Sequence, residues 1–367
     1  MDFRYSQWDD KILRDLNFLR NLLSLYNRIL LMTDGNVDEA FRAMADLGER
    51  FGFFNEKFTL EDFKKQLHDQ DAIKEVNGKN VLTGKGEKMI RKDALDRIFS
   101  NLARDSSGEH RVPRTGSGGD RTTETRPYAF GDSVSDIDFL SSVRNSMRRT
   151  RGAWGEEGAS LHEDDLEVFE TEHLSSCATV VLIDVSHSMI LYGEDRITPA
   201  KQAALALSEL IMTRYPKDSI SVVLFGDDAW EVKVRDIPYV SVGPYHTNTK
   251  AGLQLAQKIL ARQKHVNKQI FMITDGKPSA IHENGRLYKN AFGLDPKIVN
   301  KTLDEAVQCR RKRIPVTTFM VTQDPYLVRF VERFTQLNKG RAYYSDLESL
   351  GSYLFVDYSR NRRRRVN

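Results

Sequence analysis

The chain has 367 residues, 40% of them hydrophobic, with 55 basic against 52 acidic side chains and a net charge of +3. That length can bury a sizeable core and suits two domains. The near balance of charge disfavours a dedicated nucleic-acid binder, and two cysteines, Cys177 and Cys309, exclude a disulfide framework and fit a reducing compartment.

Met1-Asp2-Phe3-Arg4-Tyr5 lacks the basic start and apolar core of a signal peptide. The apolar spacing of Leu19–Met32 is helical but broken by Arg20 and Arg28, and no uncharged apolar stretch reaches the roughly 18 residues a membrane span needs. The expectation is a cytoplasmic chain with no membrane span. Residues 1–103 read as a mostly helical region. Asp10–Met32 is an amphipathic helix, Asn36 to Arg50 a second with an Asn/Asp start, and Thr59-Leu60-Glu61-Asp62 opens a third that runs to Asp69. Val81–Gly86 is a short strand or turn that leads into the Ala94–Phe99 helix. Helices, a glycine-marked hairpin and another helix look loosely like a winged helix; a small helical bundle for protein contacts is the plainer reading.

Residues 104–126 carry Ser-Ser-Gly, Gly-Ser-Gly-Gly and Thr-Thr-Glu-Thr and predict a flexible linker. Residues 127–176 form a connecting segment. It holds an aromatic anchor at Tyr128-Ala129-Phe130, a short helix from Asp136 to Asn145, and a half-exposed edge strand over Leu166–Glu172, where apolar and acidic residues alternate.

From Cys177 onward strands and helices alternate, which predicts an α/β fold of βαβ units around a mostly parallel sheet. The predicted strands are Ala178–Ile183, Ile220–Gly226, Gln269–Thr274, Pro315–Val321 and Arg341–Tyr344, with Ala229–Val234 an antiparallel edge. Helices are expected over Thr198–Tyr215, Thr249–Gln263, Asp304–Arg311, Leu327–Leu337 and Leu347–Phe355, followed by a basic tail over residues 356–367. Lys277–Asp295 is a loop of nearly twenty residues where two to six are usual, with His282, Glu283, Arg286, Tyr288, Lys289 and Phe292 on it. Long loops beside a site are commonly recognition surfaces, and a covering insertion is the alternative.

The first strand ends in Asp184-Val185-Ser186-His187-Ser188. Its carboxylate and two hydroxyls fall on a turn at the carboxyl end of a central strand, where open α/β sheets build their sites. They are hard oxygen ligands suited to Mg2+, and so few carboxylates leave such a metal free to take an acidic oxygen from a partner. The later strand ends in Thr274-Asp275-Gly276, and between the two lies the polar loop Pro244-Tyr245-His246-Thr247-Asn248 that opens a helix.

These three segments, in this order, resemble the von Willebrand factor A (VWA) family and its metal-ion-dependent adhesion site. The resemblance covers about residues 177 to 355 and implies a doubly wound, Rossmann-like sheet with helices on both faces. It implies a metal, Mg2+ or Mn2+, on Asp184, Ser186, Ser188, Thr247 and Asp275, the last through water. The competing readings are weaker. An Asp-Ser turn after a strand can simply cap a helix. A phosphatase of the haloacid dehalogenase kind needs a second acid two residues after Asp184, where this chain has Ser186. His187 and His246 lack the spaced partners of a zinc centre and read as turn or rim residues.

No Gly-x-x-x-x-Gly-Lys-[Ser/Thr] phosphate loop and no nucleophile–base pair is evident, so no enzymatic activity is expected. The layout of helical region, linker and metal-site domain resembles bacterial cytosolic proteins related to the D subunit of magnesium chelatase. That resemblance implies an adaptor for an AAA+ ATPase of the MoxR or chelatase I type, with an acidic residue of the partner completing the metal's coordination. The alternative is a nucleic-acid-binding factor that uses the wing-like segment and the tail Arg360–Asn367.

Overall fold

The computed structural model describes residues 10–56, 58–104, 121–129, 137–149, 161–171, 176–193, 195–275, 277–290, 293–320, 325–344 and 350–362. These residues form two compact units: one joins the chain up to Ser106 with Cys177–Ser359, and the other holds Ser107–Ser176 with the residues from Arg360 onward.

The first unit opens with α1 (Asp10–Met32), α2 (Val37–Phe51) and α3 (Leu60–Asp69). The starts of α2 and α3 are fixed by the side chains that the sequence offers as caps. Asn36 Oδ1 accepts the Glu39 amide at 3.2 Å, while Thr59 and Asp62 bond each other's backbone amides at 3.2 and 2.9 Å. A hairpin of β1 (Ile73–Val76) and β2 (Lys79–Leu82) follows, turning at Asn77-Gly78, both with positive φ. Then α4 runs from Gly84 to Arg104, starting ten residues before the expected Ala94.

The large sheet has β5 (Cys177–Asp184), β6 (Ser219–Phe225), β7 (Ala229–Val232), β8 (Asn267–Thr274), β11 (Val316–Met320) and β12 (Arg341–Tyr344). Its spatial order is β12-β11-β8-β5-β6-β7, parallel throughout except for the antiparallel edge β7. The α6 (Ile197–Arg214), α7 (Thr249–Arg262), α8 (Pro296–Arg311), α9 (Pro325–Asn338) and α10 (Leu350–Arg362) helices cover it. Successive strand residues point to opposite faces, so each strand splits its side chains between two cores. Val181, Ile183, Val222, Leu224, Phe271 and Ile273 join α6, α10 and the N-terminal helices in one core. Val180, Leu182, Val223, Phe225, Ile270 and Met272 meet residues of α7, α8 and α9 in the other. This is the mostly parallel sheet expected from the alternating pattern, doubly wound as the family resemblance implied.

Beyond Cys177 the sequence reading is corrected at three places. Helix α8 begins at Pro296 rather than Asp304, because Asp295 caps it by accepting the Lys297 and Ile298 amides and Pro296 suits the first helical turn. Helix α10 continues through Arg362, taking in residues 356–362 of the predicted tail. Its Asp357 is buried and accepts from Thr317 and Tyr343 and pairs with Arg341, while Tyr358 donates to Asp218 at 2.6 Å. Polar anchors of this kind leave no apolar period to read. Finally, Lys277–Asp295 is no plain loop: β9 (Ala280–Glu283) pairs with β10 (Arg286–Lys289) across an Asn284-Gly285 turn.

In the second unit, β3 (Arg121–Pro127) pairs antiparallel with β4 (Glu167–Thr171), beside α5 (Phe139–Arg149). The predicted linker is therefore shorter than residues 104–126. Thr122, Thr123 and Thr125 supply β-branched residues for a strand, and the Thr125 hydroxyl donates to Glu167. Arg149 grips the Asp165 carboxylate with Nε and Nη2 at 3.0 Å each, and that contact holds Asp165 below its usual range. The linker residues 105–120, Phe130 of the aromatic anchor, Phe292 of the long loop and the last five residues of the tail lie outside the described residues.

Candidate metal centre

Strands β5 and β8 are adjacent and parallel, so Asp184 and Asp275 emerge side by side at their carboxyl ends. The loop before α7 brings Thr247 to the same place, and all five residues expected from the sequence converge there. Asp184, Ser186, Thr247 and Asp275 are buried at 0–3% exposure, and Ser188 is half-buried, so the site opens to solvent on the Ser188 side.

The oxygens form a continuous chain. The Thr247 hydroxyl donates to Ser186 Oγ at 3.0 Å, the Ser186 and Ser188 hydroxyls share a bond of 3.1 Å, and Ser188 donates to Asp275 Oδ1 at 2.7 Å. Asp184 accepts the Ser186 amide on Oδ1 at 2.9 Å and the Thr274 hydroxyl on Oδ2 at 2.6 Å. An octahedral Mg2+ shell with bonds of about 2.0–2.1 Å puts neighbouring oxygens about 3 Å apart. The hydroxyl spacings fit that edge length. Among the described residues no three His, Cys, Asp or Glu side chains gather, so a cation here would take these hydroxyls as ligands.

Burial and the neighbouring Asp275 carboxylate push Asp184 up to about 7, opposed by its bonds from Ser186 and Thr274. Two buried acids so close call for a cation. One protein cation is present: Arg196, just before α6, donates Nη1 to Asp275 Oδ2 at 2.7 Å. Sequence reasoning missed Arg196 and Thr274. Thr274 was legible from its place beside Asp275, whereas Arg196 lies in a polar stretch with no pattern.

His187 is exposed, and its amide donates to the Tyr245 carbonyl. His246 bonds Asp227 Oδ1 through both its amide and Nδ1, at 2.7 and 3.1 Å. They act as turn and rim residues, in line with the absence of a zinc pattern. Ile190 and Tyr245, each two residues from a candidate site residue, are 46% and 38% exposed. The Tyr245 side chain lies so close to Gly226 and Gly243 that a Cβ on either would come within 2.7 and 2.1 Å of it.

The comparisons bear on the fold around this site. Residues 177–359 match the family model for the vWA domain of the Rv0959-like protein, and residues 120–171 match the model for that protein's third domain. Residues 177–359 accordingly form a vWA domain. Proteins from Mycobacterium tuberculosis and Mycobacterium bovis, described as the uncharacterized proteins Rv0959 and Mb0984, are 29% identical over 320 residues, which is 83% of this chain and 46% of theirs. The chain thus spans about half the length of the curated relatives it matches. Among solved structures, the vWF domain of the type V pili tip protein Mfa5 from Porphyromonas gingivalis is 13% identical with a TM-score of 0.43, over 53% of this chain and 98% of that one. The PilB minor pilin from Streptococcus sanguinis is 14% identical with a TM-score of 0.42, over 57% and 66%. Among the described residues no helix is long and apolar enough to cross a membrane.

Proposed function

We propose that the chain is a metal-dependent protein-binding module, with Asp184, Ser186, Ser188, Thr247 and Asp275 holding Mg2+ or Mn2+. The observation that carries this reading is the hydroxyl chain from Thr247 through Ser186 and Ser188 to Asp275, with its 2.7–3.1 Å spacings at the strand ends. A bound divalent cation would supply a coordination position for an acidic residue of a partner. The protein's own part is to hold the oxygens in place, exclude water from Asp184, and present Ser188 at the opening. The exposed Ile190 and Tyr245 suit a partly dry contact, in which one charge-assisted bond carries much of a small interface.

The partner implied by the resemblance of this layout to relatives of the magnesium chelatase D subunit is an AAA+ ATPase of the MoxR or chelatase I type, with the chain as its adaptor in the cytoplasm. The chain would act by binding, without turnover of its own.

Calorimetry in millimolar Mg2+ tests the site. The wild-type chain is expected to bind one cation and Asp184→Ala none, with little change in fold because the site lies at the strand ends. A wild-type chain that takes up no metal sinks the proposal. Pull-downs with and without a chelator then test the partner: an AAA+ ATPase retained only with the metal supports the adaptor role, while a partner retained equally with chelator refutes it.

A further inference from the structure

The hairpin β9–β10 does more than lie near the site. Its stem holds the main chain of Thr247 on both sides. The Thr247 amide donates to Ser279 Oγ at 2.9 Å, and the Thr247 carbonyl accepts the Ser279 and Ala280 amides at 2.9 and 3.3 Å. The flanking residues are held by a different element, the turn after β6. There the His246 amide donates to Asp227 and the Asn248 amide to the Gly226 carbonyl. With its backbone fixed in this way, Thr247 has its hydroxyl directed to Ser186 Oγ. Ser279 is the one side chain of the hairpin stem bonded to Thr247, and it is itself only 7% exposed.

We propose that Ser279 is a positioning residue for Thr247, and that the hairpin sets the competence of the metal site through it. This rests on the metal-binding reading above. Ser279 touches neither the metal position nor the other ligands in any bond described; it acts through the Thr247 amide. The outer strand β10 faces solvent, with Arg286 at the turn end and Tyr288 and Lys289 nearer the base all exposed. Tyr288 there donates to Asp295 and carries Lys297 over its ring at 4.8 Å. The Asn290 amide closes the base by donating to the Ser279 carbonyl at 2.9 Å. One short ladder thus runs from an exposed strand bearing basic and aromatic side chains to the buried Thr247. Coupling between two sites is reciprocal. An acidic protein segment that binds the exposed side of β10 and tightens the stem would raise metal affinity, and the metal would raise affinity for that segment by the same factor.

The competing account is that Ser279 merely satisfies a buried amide so that the loop folds. The two differ in what they move. A structural role lowers the melting temperature and leaves metal affinity alone; a positioning role shifts metal affinity and the exchange of one amide. The test uses the full chain with Ser279→Ala and Ser279→Cys, the latter close in volume but a weak acceptor. Titration with Mg2+ alone, and with Mn2+ alone, is expected to show about five- to tenfold weaker binding in both variants, the scale of one lost hydrogen bond. Hydrogen exchange at the Thr247 amide is expected to rise, while the melting temperature without metal stays close to wild type. Variants that bind Mg2+ as tightly as wild type overturn the proposal, and the cysteine variant decides if the alanine variant does not fold. A wild-type chain that binds no Mg2+ overturns the metal reading and this one together, and it does so before either variant is compared.

Discussion

The two faces of the large sheet are closed in different ways. On one face α7, α8 and α9 lie directly on the strands, and an apolar cluster runs from Leu253 through Leu303 to Phe334. Its main buried polar bridge is Asn338, whose side chain accepts the Val316 amide and donates to the Ala306 carbonyl, tying neighbouring elements together. On the other face α6 lies between the sheet and the N-terminal helices, and it buries charge. Lys201 on α6 is fully buried and donates to the Leu31 carbonyl at 3.0 Å and to Asp34 at 2.6 Å. Glu209, also on α6, accepts Arg91 of α4 at 3.1 Å. The first face is thus joined by packing between neighbours in the chain, and the second by ion pairs that fix which distant segment sits against α6. Buried pairs of this sort serve specificity more dependably than stability.

That contrast can be broken from either side. On the apolar face, Phe334→Ala removes a ring that is 1% exposed and is expected to cost about 3–5 kcal/mol in urea unfolding. A cost below about 1 kcal/mol would show that this face does not depend on its packing. On the charged face, Arg91→Ala strands the carboxylate of Glu209, 5% exposed at the side chain, and is expected to cost about 3 kcal/mol. Replacing both partners, Arg91→Met with Glu209→Met, should recover most of that loss. A double variant as unstable as the single one would mean that the pair itself, not the stranded acid, supplies the stability.

The apolar face and the site were the legible parts. Runs such as Ala178–Ile183 and Gln269–Thr274 announce buried strands, and the capping residues Asn36, Thr59 and Asn248 sit where the helices start. The candidate site was legible because Asp184 ends one strand, Asp275 follows another, and Ser186, Ser188 and Thr247 lie on the loops beside them. The covering of α6 was harder to read. Ala200, Ala203, Ala204, Leu207, Leu210 and Ile211 define one apolar face, but Leu205 and Ala206 off that face are buried too. A helix apolar nearly all round is covered on both sides, and that was the available signal. Lys201 gave none, since a lysine on a helix ordinarily faces water; its partners, Leu31 and Asp34, lie some 170 residues earlier. Long-range polar contacts have no period, so Arg196, Asp357 and Lys201 appear only in the structure.

The finest test of the contrast uses the proton on Lys201. Burial lowers its folded-state pKa below the ordinary lysine value, against the opposing pull of Asp34 and Asp195. The unfolded chain therefore holds this proton more tightly than the folded one does. Wherever the unfolded state binds more protons, stability rises with pH. For Lys201 that window runs from its lowered folded value up to the unfolded value near ~10.4. The wild-type chain should gain stability from this group as pH climbs through that window, whereas Lys201→Met, which has no proton to lose, should not. Melting temperatures of the two chains, compared at stepped pH from neutral to about 10, are expected to show the variant losing ground to wild type as pH rises. The comparison cancels the titration of other groups common to both chains, so the difference in slope belongs to Lys201 and the acids that face it. Parallel curves would mean that Lys201 is solvated in the folded chain, and that α6 is not sealed against α1 as its contact with Leu31 requires.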